Sequence, residues 1–130
     1  MYNFAKEERL HSKRNIQSLF EQGNSYFQYP FKVYYHFSPA RESEVAASIL
    51  FSVGKKSFKK AVDRNKIKRL CRESYRLNKN PLIQALKSKN KKVDLAFIYV
   101  GKSIPDFQEL QTRLVKSLHQ LQERLETKKD

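Results

Sequence analysis

The sequence predicts an α+β fold: a two-layer α/β sandwich in the order α-β-β-α-β-α with a small mixed sheet. Three observations predict it. Strand-like runs occupy Phe31 to Phe37, about Val45 to Val53, and Val93 to Val100. Around them lie stretches whose apolar residues recur at three- and four-residue spacing, the period of a helix. The chain between the second and third strands is long enough for a helical crossover joining parallel strands. At 130 residues, 39% of them hydrophobic, with nine Phe and seven Tyr but only three Gly and four Pro, the chain suits one compact domain around one core. Wholesale disorder is excluded by the same composition.

Each element has a local cause. Residues 1 to 10 read as a flexible basic arm, after which Ser12 is placed to cap a helix carrying Ile16, Leu19 and Phe20 on one stripe, with Gly23 as its stop. In FKVYYHF, alternation puts Phe31, Val33, Tyr35 and Phe37 on one face, read as core. Lys32, Tyr34 and His36 fall on the other, read as a wet or ligand-facing surface. A polar turn, SPARESE, leads to Val45–Val53, apolar on both faces like an interior strand and expected to form a hairpin with the first. Gly54 opens a basic loop, and Asp63 is the expected cap of the following helix. Pro81 is read as a break, followed by a short helix LIQALK, a basic turn and the strand VDLAFIYV. Ser103 and Asp106 have capping-box spacing with Pro105 in the first turn. From there Phe107, Leu110, Leu114, Leu118, Leu121 and Leu125 trace the apolar stripe of a closing helix, and residues 126–130 are expected to form a flexible tail. No repeat or linker divides the chain, so 1–130 is read as a single domain.

The charge narrows the function. A net +14 points to a polyanionic partner. Residues 55 to 79 hold eleven Lys or Arg against two acids, +9 of that total. Winding the segment as a helix from Arg64 gathers Arg64, Asn65, Lys68, Arg69, Arg72, Tyr75, Arg76 and Lys79 on one arc, and puts Ile67, Leu70, Cys71, Ser74 and Leu77 opposite. Basic helix faces are often merely solvated, but such faces normally mix signs at i, i+4, and this arc carries no carboxylate. Phosphate binding is the favoured reading, with arginines as bidentate partners, lysines as mobile point charges and Asn65 as a neutral donor toward a base edge or ribose.

Other chemistries find little support. Gly54-Lys55-Lys56-Ser57 lacks the first glycine of a phosphate loop, since Ile49 stands there. Three scattered histidines and one cysteine offer no metal spacing, and Cys71 is read as a small core residue. Phe20, taken alone, reads more readily as core than as ligand contact. The lone cysteine, the charged start and an apolar stretch far short of the roughly 20 residues that span a bilayer lead to the expectation of a soluble, cytoplasmic protein without a membrane partner.

Arg64-Asn65-Lys66-Ile67-Lys68-Arg69 followed by Arg72-Glu73, preceded by SVGKK and KKAV, resembles the RNR signature of the protein component of bacterial ribonuclease P. The likeness extends to an early helix ending LFEQG, the aromatic strand near Tyr34, VDLAFIYV and the C-terminal leucine helix. The chain departs from the family pattern at Ile16, Ala47-Ser48, Gly54 and Lys66. The resemblance implies a ribosomal protein S5 domain 2-like sandwich with a left-handed βαβ crossover. It also implies an endoribonuclease of tRNA 5′ maturation, whose RNA subunit carries the chemistry and the Mg²⁺ ions while the protein alone holds no cofactor. Carried over by position, Lys55, Lys56, Arg64, Asn65, Lys66, Lys68, Arg69 and Arg72 would face the RNA subunit, with Lys59, Lys60 and Arg76 expected on the same surface. Phe20, Lys32, Tyr34 and His36 would hold the single-stranded 5′ leader of precursor tRNA, where stacking and backbone charge serve sequence-tolerant binding. A general or ribosomal RNA-binding protein without a part in cleavage is the alternative. DNA is not an expected partner, because no helix-turn-helix is evident.

Overall fold

The computed structural model describes residues 8–40 and 45–127. Its elements run α1 (Lys13–Gln22), β1 (Asn24–Gln28), β2 (Phe31–Pro39), β3 (Ala47–Val53), α2 (Ala61–Asn78), α3 (Asn80–Ser88), β4 (Lys91–Tyr99) and α4 (Phe107–Thr127). The four strands form one mixed sheet in the order β1-β2-β4-β3. β4 pairs antiparallel with β2 and parallel with β3, so α2 and α3 make up the crossover between parallel neighbours.

The inward face of the sheet carries the main core. Phe31, Val33 and Tyr35 of β2, Leu95 and Phe97 of β4, and Ile49 and Phe51 of β3 meet Ile67, Cys71 and Tyr75 of α2, Leu82 and Leu86 of α3 and the leucines of α4. Phe51 stacks on Phe97 at 5.4 Å between ring centroids, and Phe31 meets Phe97 edge-on at the same distance. Each fully buried Leu or Phe contributes about 1.5–3 kcal/mol. Tyr26 reaches across this face to donate its hydroxyl to the Ser117 carbonyl at 2.8 Å, tying the edge strand to α4.

On the opposite face α1 lies alone. Leu19, with Ile16 beside it, packs on Ala96, Tyr34 and Leu50, and Leu10 completes this smaller cluster. The Ser12 hydroxyl accepts the Asn15 N–H as expected, and Gly23 donates to the Leu19 carbonyl. A side chain at Gly23 would collide with that carbonyl and with the Tyr35 backbone.

Several expectations are corrected. β2 and β3 are not a hairpin, because β4 inserts between them. β1 was not expected; with Asn24, Ser25 and Gln28 among five residues it lacks a clear apolar alternation and is held by pairing with β2. Lys60, not Asp63, stands at the N-cap of α2, and Asp63 lies in the first turn, where its charge favours the positive end of the helix dipole. Pro81 sits in the first turn of α3, where a missing N–H costs nothing, so it helps to start a helix. α4 begins later than the capping-box reading implied: Asp106 accepts the N–H groups of Gln108 and Glu109, while the Ser103 carbonyl accepts the Tyr99 hydroxyl. The leucine stripe is buried as expected.

Of the expected basic arm, residues 1–7 lie outside the described residues, but its last three are fastened. Glu8 pairs with Lys79 at 2.6 Å, Arg9 bridges Ile49, and Leu10 donates its N–H to the Ile49 carbonyl. Of the expected tail, 126 and 127 are helical and 128–130 lie outside the described residues, as do 41–44 of the SPARESE turn. Among the described residues no helix is long and apolar enough to cross a membrane.

Burial pushes the Cys71 thiol up to about 12. Native protein at pH 8 should therefore resist alkylation at Cys71 and react within minutes once unfolded, as followed by mass spectrometry. Leu114→Ala, at a fully buried site of α4, should lower unfolding free energy by about 2–5 kcal/mol in urea titration.

Candidate nucleic-acid interface

The basic loop between β3 and α2 is held from both sides. Phe58 inserts into the core beside Tyr99, so Lys55, Lys56, Lys59 and Lys60 stay exposed around a fixed point. The Arg64 guanidinium then closes the loop onto the helix, one nitrogen donating to the carbonyls of Phe58 at 2.7 Å and Lys59 at 2.9 Å. Two of its five N–H donors are thereby engaged, the rest remaining for an anion. The sequence reading cast Arg64 as a phosphate contact only; its place six residues after a lone aromatic in a basic loop was the available sign of this second role.

The cationic face of α2 is rotated from the arc expected from sequence. Tyr75 is fully buried against Phe51, and Lys79 is buried in its pair with Glu8. Leu77, expected on the packed side, is 45% exposed. The outward face holds Asn65, Lys66 and Arg69, flanked by the half-buried Lys68, Arg72 and Arg76. This face also carries one carboxylate, contrary to expectation: Glu73 accepts two hydrogen bonds from Arg76, and that contact holds its carboxyl below the ordinary range. Arg76 is thus a locally neutralised member of the set. The rotation follows from the core, because Tyr75 joins Ile67, Cys71 and Ser74 in packing under the sheet.

The four expected leader residues all lie where alternation put them, on the outward face or on α1, but α1 divides them. On one flank, Phe20, 38% exposed, meets Tyr34 edge-on at 4.7 Å, and the Lys32 ammonium stands 5.7 Å from the Tyr34 ring. On the other flank His36 lines a polar cleft of about 400 Å³ with Asn15, Ser18, Gln22, Ser38, Lys92 and Asp94. His36 faces Asp94 across the β2–β4 ladder, and Asp94 is bound to Lys92 at 2.8 Å. The cleft walls contributed by α1 and β4 were missed from sequence, because neither segment showed which of its polar residues would meet across the helix. Among the described residues no three His, Cys, Asp or Glu side chains are placed to hold a metal ion.

The family model described as Ribonuclease P matches residues 4–122. The chain belongs to the ribonuclease P protein family. A ribonuclease P protein component from Porphyromonas gingivalis is 39% identical over 118 residues, covering 90% of this chain and 85% of the relative. Another from Chlorobium phaeobacteroides is 31% identical, covering 89% and 86%. Among solved structures, the ribonuclease P protein from Thermotoga maritima matches with a TM-score of 0.65 at 27% identity, over 87% of this chain and 96% of its own. The one from Staphylococcus aureus, at 23% identity and a TM-score of 0.62 over 88% and 94%, shows the shared fold.

In this ribonuclease P protein the Arg64 clamp should be separable from its charge. Arg64→Lys keeps the cation but ends one bond short of the guanidinium nitrogen that meets both carbonyls. It should speed hydrogen exchange across residues 55–60 and cost about 1–2 kcal/mol of stability by urea titration. Unchanged exchange in the loop would contradict the clamp.

Proposed function

We infer that this chain is the protein subunit of ribonuclease P and acts in tRNA processing. We further propose that it binds the RNA subunit through the basic loop and the outward face of α2, and takes the 5′ leader of precursor tRNA onto the outward face of the sheet. The observation that carries this reading is the pairing of the two surfaces. The loop begins at Gly54, directly after β3, while Phe20 and Tyr34 stand on the face that β3 shares with β2 and β4.

Each surface suits its proposed ligand. Arg69 and Arg72 supply planar donors for bidentate phosphate contacts, Lys66 and Lys68 supply mobile charge, and Asn65 offers an amide to a base or ribose. Exposed Phe20 and half-buried Tyr34 offer aromatic surface to unstacked bases, with Lys32 beside them for the backbone. The protein's part is to position the substrate and screen phosphate repulsion. In this proposal hydrolysis belongs to the RNA subunit with its Mg²⁺ ions. The setting proposed is the cytoplasm.

The test is reconstitution with a bacterial ribonuclease P RNA. At low Mg²⁺, wild-type protein should strongly stimulate removal of the 5′ leader; binding of the RNA without stimulation would favour a general RNA-binding role instead. If about six phosphates are neutralised, leader affinity should fall with a log–log salt slope of roughly −4, and a slope near zero would contradict the electrostatic account. Arg69→Ala should weaken assembly with the RNA subunit, reduce that slope by about one, and leave thermal stability within about 0.5 kcal/mol, since Arg69 is exposed.

A further inference from the structure

We propose that Phe27 is an additional base-stacking position, which extends the path of the single-stranded leader from the Phe20–Tyr34 pair to the edge strand β1. The inference rests on the leader reading above and adds a subsite to it. Phe27 points to the outward face of the sheet and is 56% exposed, more than any other aromatic among the described residues. It stands directly opposite Lys32, itself beside the Tyr34 ring. Phe27 and Tyr34 are therefore diagonal neighbours, about 7–8 Å apart at the backbone, a separation that aromatic side chains bridge.

The surroundings favour nucleic acid over another occupant. Crossing the sheet at this level, the outward residues are Phe27, Lys32, Ile98 and Ser52, a row without a carboxylate. It ends one residue before β3 gives way to the basic loop. The corresponding row on the far flank of α1 contains His36 and Asp94, a less favourable track for phosphates. α1 covers the row between them, at Tyr34, Ala96 and Leu50, and leaves the Phe27 row open. Tyr29, 6.4 Å from Phe27 between ring centroids, is engaged by the Arg113 guanidinium at 5.6 Å, so a cation flanks the aromatic step at its outer end. Exposed rings interleaved with cations on an acid-free surface are what a base-stacking, backbone-neutralising platform requires. A second copy of a chain carrying +14 would meet repulsion here.

The chain contains no tryptophan, so Phe27→Trp creates a single tryptophan at the site, excited selectively over the tyrosines. In holoenzyme reconstituted with a bacterial ribonuclease P RNA, precursor tRNA with a long leader should quench its emission, whereas precursor tRNA whose leader is too short to reach β1 should not. Phe27→Ala should weaken binding of the long-leader substrate roughly five- to twentyfold, with Phe27→Tyr restoring it and Phe27→Leu restoring little. Equal losses for both substrates, or rescue by Leu as complete as by Tyr, would overturn the proposal. So would emission that changes with protein concentration in the absence of RNA, which would mark the edge strand as a contact between copies. Failure of the wild-type protein to stimulate cleavage at all would instead count against the leader reading itself.

Discussion

The pairing of β4 with both β2 and β3 is the constraint on which the rest of the molecule depends. β4 is the last strand in the chain and occupies an interior position in the sheet, so α2 and α3 must lie on one face between β3 and β4. Its inward residues Leu95 and Phe97 anchor the main core, and its outward Ala96, fully buried, seats α1. A small side chain there lets α1 approach closely. The same strand therefore places the cationic helix under one face and defines the two open tracks on the other.

A chain with this much positive charge needs its cations held apart and outward, and the structure achieves this with apolar anchors more than with ion pairs. Phe58 is buried so that four loop lysines are not, and Arg64 directs part of its guanidinium to backbone carbonyls. On α2, Tyr75 under the sheet turns Asn65, Lys66 and Arg69 to solvent. The described ion pairs lie mostly at the margins of the cationic surface: Lys79 with Glu8 at the end of α2, Lys92 with Asp94 in the polar cleft, and Arg76 with Glu73 on the helix. The unbalanced part of the charge makes the loop and α2 a surface of high local potential, suited to a polyanion.

Much of this was legible in the sequence wherever a period was strong. The alternation of FKVYYHF put Lys32, Tyr34 and His36 on one face, and the spacing of the C-terminal leucines gave the buried stripe of α4. What was not legible depended on tertiary packing. The insertion of β4 between β2 and β3 is a long-range pairing that no local pattern encodes, and β1 is recruited by β2 despite its polar residues. The rotation of α2 came from Tyr75, which winding from Arg64 grouped with the cations while its ring fills the core. The split of the expected leader residues across α1 required knowing that the helix crosses the middle row of the sheet, information that residue spacing does not hold.

Lysine reactivity in the assembled particle tests the central claim most directly. With lysines labelled covalently in the protein alone and in complex with the RNA subunit and precursor tRNA, then quantified by mass spectrometry, Lys55, Lys56, Lys59 and Lys66 should lose reactivity. Lys89, exposed in the turn between α3 and β4 at the end of the sheet opposite the basic loop, should keep it. Protection of Lys89 with the loop and α2 lysines unchanged would contradict the placement of the RNA.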